Sequence, residues 1–406
     1  MTAHDLSPGA PVRIASPAVL VVYVGALVQG LTLVSFPALS AVLTRGYGLT
    51  DAQYGAIFLP QVACAVLGAM LGGGLARRIG LKPLLALSLA ASGLSQALLA
   101  ALTVVPPALA FPCVLAGTAL LGLGFGISGA PMNSYPPTLF PRQPHGAVVA
   151  AHTLIGLGLA IGPLLSGEFV GRGAWAGFPL LLVVLTGTLA AATLATPLPR
   201  CEPDGMHAAA GAANETPVRT PMFWIFFAIV VLYAFAEGTF SSWAVIFLRD
   251  TKGLPEMTAS LALSAFWGAV VVGRLAVSLL VARVSPAAVW ATLPLIMIAA
   301  FLLMPGVSSG AEGIAAFALA GLGCSAFLPL SITLASHRFP RDVAWVSSML
   351  IAALMIGVGV GSFAIGALRE LLAFEALYRV SALYAVAVLL LAIPVLRASR
   401  RAAVAH

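Results

Sequence analysis

Long apolar runs alternate with short polar or Pro/Gly-rich breaks along the whole chain. Twelve runs are long enough to cross the roughly 30 Å apolar core of a bilayer, which takes about 20 helical residues. They lie near 18–43, 53–76, 83–104, 109–136, 146–169, 175–196, 222–248, 258–282, 286–305, 312–336, 343–368 and 376–396. Between Lys82 and Arg142 there is no Asp, Glu, Lys, Arg or His, and two prolines at 106–107 split this stretch into two runs. The pattern predicts an all-α polytopic membrane protein with twelve transmembrane helices.

The composition of this 406-residue chain excludes an ordinary soluble globule. The chain is 61% hydrophobic and only 8% charged, with a mean hydropathy of +1.06, whereas soluble domains carry about 25% charged residues. The same numbers exclude a disordered chain, a disulfide-rich secreted fold and a nucleic-acid-binding protein. The net charge of +7 comes from basic residues spread between the apolar runs, so no nucleic acid is expected as a partner.

Basic residues accumulate in alternate connections between the runs. With the N-terminus inside, thirteen basic residues lie in cytoplasmic segments and six in outside loops. This bias follows the positive-inside rule. We expect a multi-pass protein of the bacterial inner membrane with both termini in the cytoplasm. The segment from Met1 to Ser16 lacks the basic head of a cleavable signal peptide, so the first run is expected to remain as a helix.

A repeat divides the chain into two halves. Gly-Leu-Gly recurs at 122–124 and 321–323, and Phe-Pro-Arg at 140–142 and 339–341, both at an offset of 199 residues. Ile155-Gly156-Leu157-Gly158 is echoed by Ile356-Gly357-Val358-Gly359 at an offset of 201. The one long polar break separates the repeats, which predicts an N-terminal bundle at 1–198, a cytoplasmic linker at 199–221 and a C-terminal bundle at 222–406. Such parallel repeats predict two pseudo-symmetric six-helix bundles with a cleft between them.

Two short motifs resemble those of the major facilitator superfamily. The loop after the second run, from Gly73 to Lys82, is similar to the family's G-x-x-x-D-R-x-G-x-K signature, with Arg77 in place of Asp and Arg78 retained. Gly158, Gly162 and Pro163 match the family's G-x-x-x-G-P motif, where small residues let helices approach closely in lipid. The resemblance implies the twelve-helix fold of that superfamily, transport by alternating access and a gating role for the two arginines.

Further patterns are similar to the fucose-permease-like branch of sugar:proton symporters. They are Asn133 followed by Phe-Pro-Arg and His152, Glu237 six residues before Trp243, Trp267 followed by Gly273-Arg274, and Phe327 two residues before Pro329. Fucose permease has acidic residues in its first and fourth spans, and this chain has none there. The branch implies proton-coupled movement of a sugar-like solute.

Glu237 is the main functional candidate, because a charged group within a span is costly and usually functional. It lies near the middle of the seventh run, with Tyr233 and Ser241 one helical turn away on the same face. A carboxyl group in that setting is suited to exchange a proton near neutral pH. It is either a proton-coupling acid or a hydrogen-bonded structural residue.

The remaining candidates are polar or aromatic side chains within the runs. Arg274 either attracts an anion or neutralises another charge near a gate, and His152 either relays protons or is an interfacial histidine. The candidates for solute contact, which are otherwise packing residues, are Gln29, Gln61, Asn133, Tyr233, Ser241, Trp243, Trp267 and Phe327. Charged residues of the outside loops, such as Arg45, Asp51, Asp250 and Arg369, are expected to remain solvated.

The sequence therefore predicts a secondary transporter that moves a small polar, sugar-like solute by proton-coupled alternating access. The alternative is a proton-antiport exporter of drugs or metabolites, which the G-x-x-x-G-P motif favours. The chain has no HExxH motif, so no enzyme is expected. The four cysteines at 64, 113, 201 and 324 are widely spaced, so neither a metal nor another cofactor is predicted. The expected partners are the solute, protons and the lipid bilayer, and the protein is expected to be a monomer.

Overall fold

The computed structural model describes residues 16–199, 217–281 and 283–404. The secondary structure of these residues is helical, without strands. Fifteen α-helices follow in chain order: α1 Pro17–Leu33, α2 Ser35–Ala38, α3 Asp51–Ala56, α4 Phe58–Ile79, α5 Leu81–Ala101, α6 Ala110–Leu139, α7 Pro144–Gly171, α8 Gly177–Ala195, α9 Pro221–Ile246, α10 Glu256–Leu280, α11 Pro286–Leu303, α12 Gly310–Cys324, α13 Phe327–Arg338, α14 Val343–Leu368 and α15 Phe374–Val404.

These helices form twelve spans, because three spans are each interrupted once. Eleven helical segments of the described chain are long and apolar enough to cross a membrane, and α1 is a shorter apolar helix that α2 continues. The breaks fall at Val34, at Ile57 and at Ser325–Ala326. The predicted all-α fold with twelve spans is confirmed. Most of the predicted linker at 199–221, namely 200–216, lies outside the described residues, so the proposed domain boundaries stay a prediction.

The two halves share an unusual local feature at the same end of the molecule. The first span leads into a π-helical turn at Val42–Gly46, and the seventh leads into another at Phe247–Thr251. Both turns carry charged residues, Arg45 in the first and Arg249 and Asp250 in the second. π-Helical turns are rare and often found at functional sites.

The contacts of two glycines correct the register of the repeat. A β-carbon on Gly158 would overlap the backbone of α1, within the first half, and one on Gly357 would lie 2.6 Å from the Val231 carbonyl oxygen of α9, within the second half. Gly158 and Gly357 are therefore equivalent, at the same offset as the Gly-Leu-Gly and Phe-Pro-Arg repeats. The expected match between 155–158 and 356–359 at an offset of 201 was wrong by two residues, which turns the helix by about 200° and exchanges its faces.

The halves meet along two pairs of spans, α7 against α10 and the α3–α4 span against α14. Gly167 of α7 packs against Ser260 of α10, where an added β-carbon would lie 2.8 Å from the serine Cβ. Gly366 of α14 packs against Asp51 and Gly55 in the same manner. Gly167 and Gly366 are separated by the same offset as the repeated motifs, so the interface is itself pseudo-symmetric.

Charged side chains join the two halves at one end, which we call the closed end. Arg45 pairs with Asp250, and Asp51 pairs with Arg369 at 3.2 Å. Arg45 and Asp250 remain exposed, as expected, whereas Asp51 and Arg369 are partly buried. The expectation did not include the pairing across the interface, which arises because the two π-helical turns and the start of α3 bring opposite charges together. Arg249 pairs with Glu256 and Lys252 with Glu375 within the second half.

The opposite end, which we call the open end, carries the connections after α4, α6, α10 and α13. Arg78, Arg283 and Arg338 are exposed there. On the seam helices, His152 of α7 and Arg274 of α10 are exposed as well. Of the described ion pairs, those that join the halves lie at the closed end. The interface is therefore sealed at one end and accessible from the other.

Candidate functional site

Glu237 lies inside the second half and faces protein. Its side chain is 8% exposed, and its carboxyl group hydrogen-bonds to the Tyr233 hydroxyl one helical turn earlier on α9. The same hydroxyl lies 2.9 Å from the Cys324 carbonyl oxygen at the end of α12. Ser241, one turn later, is also buried. The spacing along α9 thus brings Glu237 and Tyr233 into contact, as the sequence predicted.

The break in the tenth span supplies two carbonyl groups to the site. Pro329 has no N–H and cannot donate to the carbonyl of Ser325 four residues earlier. That carbonyl instead accepts a hydrogen bond from Nε of Arg274 at 2.9 Å. The neighbouring Cys324 carbonyl faces Tyr233. The break in the tenth span therefore holds a side chain of α9 and a side chain of α10, and Pro329 accounts for the second of these contacts.

The packing of α7 on α10 sets Arg274 opposite His152. Beyond the Gly167–Ser260 contact, a β-carbon on Gly156 would lie 2.7 Å from Val271 Cγ2. Both contacts follow one antiparallel register, and one more helical turn brings Arg274 to the level of His152. The Arg274 guanidinium acts electrostatically on His152 and also on Glu237. Arg274 is therefore placed between an acid of its own half and a histidine of the other half.

Asn133 completes a connected set of polar groups. Its Oδ1 lies 3.3 Å from Nε2 of His152, and its Nδ2 donates to the Gly129 carbonyl at 2.8 Å. We call the set formed by Glu237, Tyr233, the 324 and 325 carbonyls, Arg274, His152 and Asn133 the polar chain. It begins inside the second half and ends on α6 of the first. Its exposed members are Asn133, His152 and Arg274.

The other two amides lie elsewhere. Gln29 is buried in the first half, where its Nε2 donates to Ser128 Oγ and its Oε1 has no hydrogen-bond partner. It lines a cavity of about 10 Å³ that Ser88 and Ser92 also border, a volume close to that of one water. Gln61 is half-buried on α4, and its Oε1 is likewise buried without a partner. Gln29 is thus separate from the polar chain.

The aromatic candidates occupy packed positions. Trp243 is fully buried and donates from Nε1 to the Ser362 carbonyl at 3.2 Å. Phe327 is also fully buried and stacks between Tyr233 and Trp290, at centroid distances of 4.9 and 5.4 Å. Trp267 is half-buried, and its Nε1 is buried without a partner. Trp243 and Phe327 therefore offer no surface to a solute in this state.

The motif residues lie at helix surfaces and ends. Arg77 and Arg78 are exposed in the last turn of α4, where positive charge is favourable beside a helix C-terminus, and neither forms an ion pair within the described residues. Gly158 and Gly162 pack against α1, and Pro163 lies within α7. The G-x-x-x-G-P motif therefore joins two helices of the same half.

Sequence reasoning missed a second contact at the closed end. The Tyr54 hydroxyl of α3 donates to the Ser242 carbonyl of α9 at 2.8 Å, and its ring meets that of Trp243 edge to face at 5.0 Å. Tyr54 is fully buried. A lone tyrosine at the start of an apolar run gave no signal, since its partners lie in the other half of the chain.

The described residues contain no cluster of three or more His, Cys, Asp or Glu side chains that could hold a metal ion. Cys64, Cys113 and Cys324 are free thiols. Cys201 lies outside the described residues.

A family model of the Major Facilitator Superfamily matches residues 21–313. The chain therefore belongs to this superfamily of membrane transporters. The uncharacterized transporter y4wD of Sinorhizobium fredii (strain NBRC 101917 / NGR234) is 30% identical over 179 residues. That match covers 42% of this chain and spans about 45% of the relative.

Solved structures show the same fold at low sequence identity. A mutant of the nucleoside transporter NupG superposes with a TM-score of 0.76 at 15% identity, covering 93% of this chain and 99% of that one. The E. coli fucose:proton symporter FucP superposes with a TM-score of 0.57 at 16% identity, covering 94% and 99%. The chain is a multi-pass membrane transporter of this superfamily, and the solved structures show that it shares their fold.

Proposed function

We propose that this transporter couples the movement of a small polar organic solute to protons, with Glu237 as the coupling acid. The hydrogen bonds of Tyr233 carry the proposal. A phenol has one proton to donate, and a backbone carbonyl can only accept. The contacts of Tyr233 with Cys324 and with Glu237 can therefore both be hydrogen bonds only if the Glu237 carboxyl is protonated and donates to the phenol oxygen.

Loss of that proton changes the partners of Tyr233. An ionised Glu237 can only accept, so the phenol must donate to the carboxylate and the Cys324 carbonyl loses its donor. An unpaired buried carbonyl is costly, by about 1–3 kcal/mol. The protonation of an acid on α9 is thereby linked to the break between α12 and α13, which also holds Arg274 at the interface. This linkage is what proton-coupled alternating access requires.

Orientation and direction belong to the same proposal. With both termini in the cytoplasm of a bacterial inner membrane, the open end faces the cytoplasm and the closed end faces outward. Entry of a proton down a pH gradient supplies about 1.4 kcal/mol per pH unit. The similarity to a fucose:proton symporter supports uptake, whereas the glycine motif that favoured export is accounted for by packing of α7 on α1.

Proteoliposomes that contain the full chain and a pH-sensitive dye test this function. L-Fucose, uridine, D-galactose, D-galacturonate, lactamide and lactate are added singly, and proton entry is recorded. We expect at least one to bring protons in with the wild type. For that solute, Glu237→Gln should abolish uphill accumulation driven by a pH gradient but retain exchange of labelled for unlabelled solute, because the amide imitates the protonated acid.

Glu312→Gln is the matched control, because Glu312 is an exposed carboxylate of the same half outside the polar chain. It should behave as the wild type. Wild-type accumulation by Glu237→Gln, or solute entry without protons in every case, would contradict the assignment of Glu237.

A further inference from the structure

We propose that the solute is an organic anion whose carboxylate binds Arg274, with His152 and Asn133 completing the site. The inference rests on the proposed transport function and names its substrate class. Arg274 is exposed on the seam between the halves and forms no ion pair within the described part of the chain. An arginine stays charged at all physiological pH values, and an unpaired charge within a membrane span is costly. The site therefore lacks a negative partner.

The guanidinium is already oriented for such a partner. Its Nε is held by the Ser325 carbonyl at 2.9 Å. The terminal nitrogens remain to donate to a ligand, and a guanidinium cannot accept hydrogen bonds. Two parallel N–H groups match the two oxygens of a carboxylate. A neutral sugar offers hydroxyl groups, which match this donor-only surface less well.

The other two residues come from the opposite half. His152 lies at the level of Arg274 across the α7–α10 seam and interacts with it electrostatically. Asn133 lies 3.3 Å from His152. An anion held by Arg274 would therefore touch both halves where the seam opens. A ligand that contacts both halves can bias their relative arrangement, because its affinity differs between the two states.

The charge count links this anion to the proton. Four titratable or charged groups surround Glu237. Tyr233 of α9, Cys324 of α12 and Arg274 of α10 interact with it, and His152 of α7 interacts with Arg274. When Glu237 is ionised it balances the charge of Arg274. When Glu237 is protonated, Arg274 has no negative partner and a carboxylate supplies it. One monoanion therefore travels with one proton, and the transport cycle moves no net charge.

Binding is tested with matched acids and neutral analogues on the full-length protein in lipid nanodiscs. D-Galacturonate is compared with D-galactose, and lactate with lactamide, by thermal shift and by calorimetry. We expect at least one acid to bind the wild type, with a higher affinity than its neutral analogue. Arg274→Gln should lower the affinity for that acid by about tenfold or more, because a hydrogen-bonded charge is lost. If no acid exceeds its neutral partner, or if the preference survives Arg274→Gln, the proposal is overturned.

Two variants accompany this test. His152→Gln should lower the affinity for the same acid by a smaller factor. This variant keeps the test decisive if Arg274→Gln fails to fold. Arg283→Gln removes an exposed positive charge beyond the end of α10, outside the polar chain. It should leave the preference for acids unchanged. An equal loss in Arg283→Gln would show that net charge alone attracts the acids and would overturn the site.

Transport driven by separate gradients distinguishes this inference from the function on which it rests. For the acid that binds, accumulation should follow an imposed pH gradient and ignore a potassium-diffusion potential. Accumulation that follows both gradients would overturn the one-anion, one-proton assignment. A neutral sugar that is accumulated through Glu237 without Arg274 would refute the anion and leave the proposed function intact. If acid binding needs Arg274 but Glu237→Gln accumulates solute as the wild type does, the proposed function is refuted and the anion site stands.

Discussion

The closed and open ends of the interface differ in the signs of their charges. Seven of the nine described acidic residues lie at the closed end, where the six basic residues balance them. At the open end, the residues whose side chains the structure describes include one acid, Asp342, and nine basic residues: Arg77, Arg78, Lys82, Arg142, Arg219, Arg283, Arg338, Arg341 and Arg397. Opposite charges therefore attract across the closed end, whereas the described charges at the open end are almost all positive and repel each other. The closed end and the open end of this transporter are therefore held by different interactions.

The close approach of α14 to α3 is the strongest test of the closed end. In Gly366→Leu the side chain would overlap the Asp51 carbonyl and crowd Gly55, whose Cα lies 3.0 Å from the position of a β-carbon. Overpacking of this kind costs about 1–3 kcal/mol. We expect the closed end to open and transport to fall by about tenfold or more.

Opening is measured as the distance between spin labels at Val104→Cys and Leu371→Cys, two exposed positions at the closed end in opposite halves. The four native cysteines are replaced by alanine. Gly171→Leu is the control, since a β-carbon at Gly171 meets no atom within 4 Å. An unchanged distance in Gly366→Leu would mean that this contact does not hold the end.

Removal of the Tyr54 hydroxyl should have a smaller effect. Tyr54→Phe keeps the ring against Trp243 but removes the hydrogen bond to the Ser242 carbonyl. A buried hydrogen bond contributes about 0.5–1.5 kcal/mol. The closed-end population should fall by about two- to tenfold in the same spin-label measurement.

Tyr47→Phe is the matched control for that substitution. Tyr47 packs on Trp175 within the first half, so its hydroxyl is not expected to affect the interface. If both variants behave as the wild type, the aromatic contact and not the hydrogen bond joins the halves.

The ion pairs should contribute less again. Asp51 and Arg369 pair at 3.2 Å with side chains 27% and 25% exposed, and partly exposed pairs contribute about 1 kcal/mol or less. Asp51→Asn should shift the closed-end distance slightly, and the shift should disappear in high salt. Glu168→Gln breaks an exposed pair with Arg172 at the end of α7 and should change nothing. A shift that persists in high salt would point to packing in place of charge.

Raising the ionic strength should have a weak effect at each end, and both effects should favour the same alternate state. Salt screens exposed charges beyond about 10 Å at 0.1 M. It weakens the attraction at the closed end and the repulsion at the open end, so both changes favour the alternate state. Labels on each end of the wild type should therefore report a small opening of one end and a small closing of the other. Movement of only one end would show that the ends are not coupled.

Much of this architecture follows from the order of residues. Twelve apolar runs, a midpoint break and a repeat of about half the chain predicted two six-helix halves, because a bilayer imposes span length and closed backbone hydrogen bonding. The contact between Tyr233 and Glu237 was also predictable, since residues four apart share a helix face. The positions of the three broken spans were not, although Pro329 explains the partner of the Ser325 carbonyl once the break is seen.

The sequence by itself determined the number of spans, the pseudo-symmetry and the presence of one acid in the middle of the seventh span. Only the tertiary structure decided that Arg45 meets Asp250, that Arg274 faces His152 and that Gly158 corresponds to Gly357. The physical reason is that composition and helical periodicity act locally, over a few turns. The partner across an interface depends on the rotation and register of two helices that are distant in the chain, and a rotation of two residues exchanges one face for another.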